Sequence, residues 1–302
     1  MLLKEIIEKI KPSGFFGNEQ TRIDRIVELN SSIFESGDLL WCSDKNVSRL
    51  SGLLTGNVIL SPNAFAIVKT ENRNFEKLNW IVAEFPRRYF MHVLQAFFVT
   101  KITPSVSPYA HIHTSVNIPS GCSIGHGVVI EEKCVIGNNV VIGHNSVIGH
   151  STVIEDNVII GANNTIGGTG FGYEKSEFGD YEMIPHIGNV HICKGAEIGN
   201  NSAIDRAVIG STIIGQNAKI DNLVHIAHGV KIGANSLVIA HAMIAGSVEI
   251  GENVWIAPCA SVLQKIKIGN NSVVGMGSVV MKDVPENKIV VGSPAKIIRD
   301  NS

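Results

Sequence analysis

From position 112 the chain places isoleucine at every sixth residue: Ile112, Ile118, Ile124, Ile130, Ile136, Ile142, Ile148, Ile154, Ile160 and Ile166 stand in unbroken register. The period returns at Ile192, Ile198 and Ile204, slips by two residues, and continues through Val208, Ile214, Ile220, Ile226, Ile232, Val238, Ile244, Ile250, Ile256, Val262, Ile268, Val274 and Val280. An amphipathic helix repeats its apolar positions at about 3.6 residues and a half-buried strand at about two. A beat of six sustained over this length is therefore an internal repeat. Four residues after many anchors stands a small or β-branched residue, as at Cys122, Val128, Cys134, Val140, Ser146, Thr152 and Val158, and again at Ala218, Val224, Val230, Ser236 and Ala242. Large then small positions describe one side of a narrow prism, and three sides of six make an 18-residue coil. Its isoleucines would stack along the interior at about the 4.8 Å spacing of paired strands. Glycine often follows the anchor (Gly125, Gly137, Gly143, Gly149, Gly161, Gly215, Gly233, Gly251, Gly269), and Asn-Asn pairs recur. Both are read as corner residues that tolerate positive φ. The periodicity predicts a mainly β protein, a parallel solenoid.

Two regions lack the beat. Residues 1–100 predict a small α/β domain, expected to cap the first coil and bind part of a substrate. It has a first helix carrying Leu2, Leu3, Ile6, Ile7 and Ile10 and stopping at Pro12, strands at Gly56–Leu60 and Trp80–Ala83, and a helix from Pro86 through Phe98. The solenoid is expected over 101–284, with a loop inserted at 167–188 and a short C-terminal tail at 285–302. The loop is glycine-rich, aromatic and charged, and long loops on a rigid scaffold tend to be functional.

Composition narrows the function. With 302 residues, 44% of them apolar, and a net charge of −2 without charge blocks, the chain can bury a real core. It shows no electrostatic footprint for nucleic acid or an anionic membrane. The first residues lack the continuous apolar run of a signal peptide or membrane span, so a cytoplasmic protein is expected. Cys42, Cys122, Cys134, Cys193 and Cys259 are scattered and form no CxxC, which predicts small reduced core residues rather than disulfides or a zinc cage.

The densest polar cluster runs from Asp221 through Gly229 and contains Asn222, His225 and His228. Val224 and Ile226 take the inward positions, so both histidines face outward or sit at a corner. An imidazole there can accept a proton from an attacking amine or hydroxyl. Counting by coils, Gly210 precedes His228 in its column, while Gly246 and Gln264 follow. That leaves a groove for a thioester, with backbone N–H groups, Gln264 or Lys265 available to an oxyanion. The plain alternative is a hydrogen-bonded surface histidine. His126, His144 and His150 repeat a corner position and are read as corner residues, whereas His186 and His191 flank the loop's return, where they could line a pocket or be plain structural residues. A metal site of the γ-carbonic anhydrase kind, using His225 and His228, is a remote alternative, since their spacing is awkward for joint ligation.

The segment from Thr169 to Val230, with GFGY, IPHIGNV, AEIG followed by IDR, STIIG followed by IDN, and IAHG in order, resembles the UDP-3-O-(3-hydroxyacyl)glucosamine N-acyltransferase family of lipid A biosynthesis (LpxD). The likeness extends to SGDLLW (Ser36 to Trp41), FPRRYF (Phe85 to Phe90) and VVGMGSVVMKDVP (Val273 to Pro285). The resemblance implies a left-handed β-helix. It also implies acyl transfer from acyl carrier protein to the 2-amine of a UDP-linked glucosamine derivative. His228 would be the general base, Asp221 and Asn222 would sit beside the sugar with His225, and Trp41 would stack on uracil. No metal and no tightly bound cofactor are implied, and three prisms packed side by side make a homotrimer. The chain departs from the pattern at Lys265, where the family has a second histidine, and at Val47, where it has a tyrosine. Its Gly292-Ser293-Pro294-Ala295-Lys296 and the run from Ala227-His228 to Ile232-Gly233 also look like sugar acetyltransferases that use a coenzyme A thioester. The alternative is thus an acetyl-CoA-dependent N-acetyltransferase of a UDP- or dTDP-linked amino-dideoxy sugar, and a purely structural solenoid is the remote one.

Overall fold

A computed structural model describes residues 1–72, 74–100 and 103–301, and the chain divides into two compact units, residues 1–101 and 102–302. In the first, a five-stranded sheet runs in the order Gly14–Phe16, Asn79–Val82, Asn57–Leu60, Asp38–Trp41, Arg25–Ile26. Only the first pair is antiparallel. Each central strand opens on a buried polar residue (Asp38, Asn57 or Asn79) and is apolar from there on, because both faces are covered. Leu39, Ile59 and Ile81 pack with Leu3, Ile6 and Ile10 of the first helix and Val93 of the third, while Leu40, Val58, Leu60 and Trp80 pack with Ala64 and Val68 of the second. The second helix, Pro62–Glu71, starts where Ser61 accepts the Ala64 amide and proline takes the first turn. The expected last helix, through Phe98, is α-helical only over Pro86–Val93 and continues as a π-helical turn over Leu94–Phe98.

The second unit is a left-handed parallel β-helix. Its three faces are parallel sheets of short strands, most of two residues, and the inward isoleucines and valines form one continuous core. Successive coils are in register at 18 residues over most of the length, as in Ile142 on Ile160 and Ile226 on Ile244. Asparagine marks the corners as expected, with positive φ at Asn139, Asn157, Asn201 and Asn271. The glycines after the anchors have a different reason. Apart from Gly167, where the loop departs, they do not have positive φ. A Cβ on Gly233 would stand 2.4 Å from the carbonyl carbon of Gly251 in the next coil, so close backbone approach selects glycine there.

Two excursions interrupt the register. Ile154 stacks on Ile192, a step of 38 rather than 18, so twenty extra residues leave the helix after Gly168 and return at Asn189. They carry a small antiparallel hairpin, Tyr173–Lys175 with Tyr181–Met183. The second excursion corrects the sequence reading. Ile204 stacks on Ile226, a step of 22, so four extra residues lie between Ile204 and Ile214. Val208 is therefore outside the core rather than an anchor, because the chain bulges there. At the C-terminal end, Lys288–Val291 continues one face beyond the expected boundary, and Lys296–Asp300 pairs back on it antiparallel. Of the cysteines, Cys42, Cys122 and Cys134 are buried as expected, but Cys193 is half-buried and Cys259 is exposed, both standing at corner positions that the prism turns outward.

Candidate active site

His228 sits at the corner after the strand His225–Ile226, the same corner from which the twenty-residue loop leaves two coils earlier. Ile226 points inward and holds the strand end, Ala227 is buried at the corner, and the imidazole is half-buried. Beyond it the 18-residue register holds: Ser247 N–H donates to the His228 carbonyl, and Lys265 N–H donates to that of Gly246, each at 2.9 Å. The expected column is thus present on the side beyond His228. The ring lies on Gly246, where a Cβ would be 2.8 Å from Cε1 and 2.9 Å from Nε2. Gln264 and Lys265 follow it as exposed side chains. Among the described residues the Gly246 amide donates to no acceptor, so one backbone donor is free beside the imidazole.

The loop supplies a second imidazole. His186, 9% exposed, sets its ring 5.2 Å from that of His228 at an edge-on angle of 76°. Its Nδ1 is 2.7 Å from the Ile184 carbonyl, so that nitrogen carries the hydrogen, and Nε2 is buried without a partner. Gly170 closes over the His186 ring and the base of the His228 side chain, since a Cβ there would stand 2.8 Å from His186 Nε2 and 2.9 Å from His228 Cβ. Arg206, itself buried, pins the start of the loop by donating from Nε to the Gly167 carbonyl at 2.8 Å. Burial, and secondarily the like charge of His186, push the His228 pKa below the ordinary imidazole value. An imidazole held neutral is ready to accept a proton.

The remaining expected residues divide. His225 points outward one step before His228, with Nε2 3.9 Å from Asp205 Oδ2. Asp221 and Asn222 lie at the preceding corner and are occupied there: Asp221 accepts the amides of Asn222 at 2.7 Å and Ala240 at 3.2 Å, and Asn222 accepts that of Asn200 at 2.6 Å. Gly210 does not precede His228 in its column as expected: the step of 22 that sets Ile226 over Ile204 puts Arg206 at that position, because four extra residues lie in the coil beneath. His126 and His144 do corner work, His144 Nδ1 accepting the His126 amide at 2.9 Å. His225 and His228 form no ligand cluster. Among the described residues, potential metal-ligand atoms converge within 4.8 Å at Glu155, His191 and Cys193. There Glu155 already meets His191 Nε2 at 2.7 Å and the Lys194 amide at 2.9 Å.

In the first unit, Trp41 lines a cleft of about 920 Å³ with Ser43, Lys45, Phe85, Arg87 and Arg88. Phe85 is 61% exposed and the two arginines stand in the first turn of the helix Pro86–Val93. Val47 packs on the core formed around Leu40 and Trp80.

Sequence reasoning missed Asp205 and Arg206, and it placed His186 at a pocket without its partner His228. Asp205 was discoverable, because it stands at the post-anchor position that glycine usually takes.

The bacterial transferase hexapeptide family (six repeats) matches residues 133–168, 211–246 and 247–282, and the hexapeptide repeat of succinyl-transferase matches residues 116–144. The chain therefore carries hexapeptide repeats, and its fold is of the left-handed β-helix class. Within that class it is similar to UDP-3-O-acylglucosamine N-acyltransferases. The one from Helicobacter pylori is 49% identical over 77 residues, 26% of this chain and 23% of the relative. The one from Christiangramia forsetii is 50% identical over 130 residues, 43% of this chain and 38% of the relative. The matched segments thus span well under half of these curated relatives. Among solved structures, the UDP-N-acetylglucosamine acyltransferase of Francisella novicida superposes with a TM-score of 0.60 at 26% identity, covering 65% of this chain and 71% of that one. No helix among the described residues is long and apolar enough to cross a membrane.

Proposed function

We propose that this protein is an N-acyltransferase that moves an acyl group from a thioester, borne by acyl carrier protein or coenzyme A, to the amine of a nucleotide-linked amino sugar. The observation that carries the reading is the half-buried His228 imidazole lying on Gly246 with an unused backbone N–H beside it, in a chain similar to acyltransferases of such sugars. As the amine attacks the thioester carbonyl, His228 takes its proton and then passes it to the departing thiolate. The Gly246 amide meets the oxyanion, and the exposed Lys265 and Gln264 stand one coil on to receive the donor. Asp221, Asn222 and His225 flank this corner on the sugar side, the first two mainly by shaping backbone.

The cleft of the first unit suits a nucleotide, with Trp41 and Phe85 offering π-faces to the base and Lys45, Arg87 and Arg88 offering charge to phosphates. The reading includes a homotrimer, no tightly bound cofactor and a cytoplasmic location. A short acyl-CoA donor with a dTDP-linked sugar is the second reading, favoured by Lys265 and Val47 at positions where the resembled family has histidine and tyrosine. Assay of the full chain with 3-hydroxyacyl carrier protein and with acetyl-CoA, against UDP- and dTDP-linked amino sugars, decides between them. Transfer from neither donor to any of these acceptors would sink the proposal.

A further inference from the structure

The position after the inward isoleucine carries an acidic residue four times in the solenoid, at Glu131, Glu155, Asp205 and Asp221. Three of them do the same work. Glu131 accepts the amide of His150 at 2.8 Å, Glu155 that of Lys194 at 2.9 Å and Asp221 that of Ala240 at 3.2 Å, each time the amide one coil on. The pairing of Ala203 with His225 and of Ile204 with Ile226 makes the corresponding amide for Asp205 that of His228. Asp205 does not take it. Among the described residues its carboxylate accepts no hydrogen bond, and the basic group facing it on the next coil, His225 Nε2, stays at 3.9 Å.

This carboxylate is only 14% exposed. Burial raises its pKa, opposed by His225 and then His186, the effect expected of an acid withdrawn from water without donors of its own. His186, close enough to act on its charge, contributes a fully buried acceptor with nothing to accept beside this largely buried carboxylate. Unmatched buried acceptors are costly and rare, and where they persist the missing donor comes from elsewhere. A protonated amine fits this deficit: it brings three N–H donors and a positive charge. A sugar hydroxyl brings one donor and no charge.

We propose that Asp205 is a specificity-determining residue that receives the acceptor's amino group as its ammonium beside His228, with His186 as the supporting acceptor behind it. This rests on the N-acyltransferase reading and names the group that selects nitrogen over oxygen. The bound ammonium releases one proton to solvent. The remaining amine attacks the thioester carbonyl, forming the C–N bond while His228 takes a second proton. The C–S bond then breaks and His228 returns that proton to the thiolate, so the products are amide, thiol and one released proton.

UDP-glucosamine and UDP-glucose differ only by amine and hydroxyl at one carbon, so their binding to the full chain, measured by calorimetry without acyl donor, tests the assignment. The wild-type chain should prefer the amine. Asp205→Asn should weaken UDP-glucosamine binding by about ten- to 100-fold, the range for a hydrogen bond to a charged group, and leave UDP-glucose within about twofold. Because the substitution removes a buried charge, its Tm at neutral pH should equal or exceed that of the wild type, a gain that fades as pH falls and the wild-type carboxyl protonates. Equal weakening of both ligands, unchanged preference in Asp205→Asn, or no preference in the wild-type chain would overturn the assignment. Absence of acyl transfer in the wild type would instead remove the acyltransferase reading, while the binding comparison still decides the role of Asp205.

Discussion

The imidazole of His228 rests on the bare α-carbon of Gly246, one coil away, so closely that a single added methyl would stand 2.8 Å from its Cε1. Gly246 has no positive φ to satisfy, so its role is to leave the space the ring occupies. Gly246→Ala should push the imidazole aside and lower kcat by about 100-fold, as misplacement of a reacting group by about 1 Å does. Thermal unfolding should stay close to that of the wild type. Unchanged turnover would place the working geometry elsewhere.

Replacement of His228 itself should cost more. His228→Ala is expected to reduce kcat by about 100- to 10,000-fold, the usual contribution of a general base. The backbone ladder on either side does not use its side chain, so circular dichroism and the mass in solution, expected to be that of a trimer, should not change. A variant with near-normal turnover would refute the assignment.

Burial and the like charge of His186 hold the His228 pKa low, so the acid limb of kcat/KM should fall below about 6.5, the ordinary imidazole value. His186→Gln removes the charge and should move that limb upward. The stability effect has a defined sign. A base whose folded pKa is depressed leaves the unfolded chain to bind protons first. Its contribution is complete above the ordinary value and is lost as pH falls through the folded one. A pH–rate profile that does not move in His186→Gln would separate the two rings electrostatically.

In the first unit, Trp41→Ala should weaken UDP binding by roughly fivefold to 150-fold, the equivalent of about 1–3 kcal/mol for a stacked base. Fluorescence quenching of the wild type by UDP and by dTDP gives a direct comparison. If Trp41→Ala binds UDP as the wild type does, the cleft is not the nucleotide site.

Within the prism, Ile226→Ala removes a fully buried side chain packed between rungs, and should cost about 2–5 kcal/mol in unfolding free energy. Val208→Ala should cost little, since that residue lies in the bulge outside the core. Equal losses at the two positions, measured by denaturant unfolding, would contradict the revised register.

Much of the solenoid was legible because a six-residue beat admits one regular solution: inward isoleucines from Ile112 onward stack and bury a common core. The loop at 167–188 was visible as the failure of that beat. The short bulge was not, because Val208 is apolar and falls where a simple two-residue slip would put an anchor, while the backbone spends four residues there. The post-anchor glycines were recognised but given the wrong cause, since one-dimensional spacing does not reveal how nearly two backbones touch.

The periodicity of this chain by itself determined the prism, its coil length, the corner asparagines and the column in which His228 meets Gly246, because all of these follow from residues at fixed separations along a regular repeat. Only the tertiary structure decided that His186 returns from the loop to face His228 and that Asp205 lies one coil beneath Ala227 without a donor. Those neighbours are brought together by insertions of twenty and four residues, and an insertion resets which residues stack without leaving any periodic trace of the partners it creates.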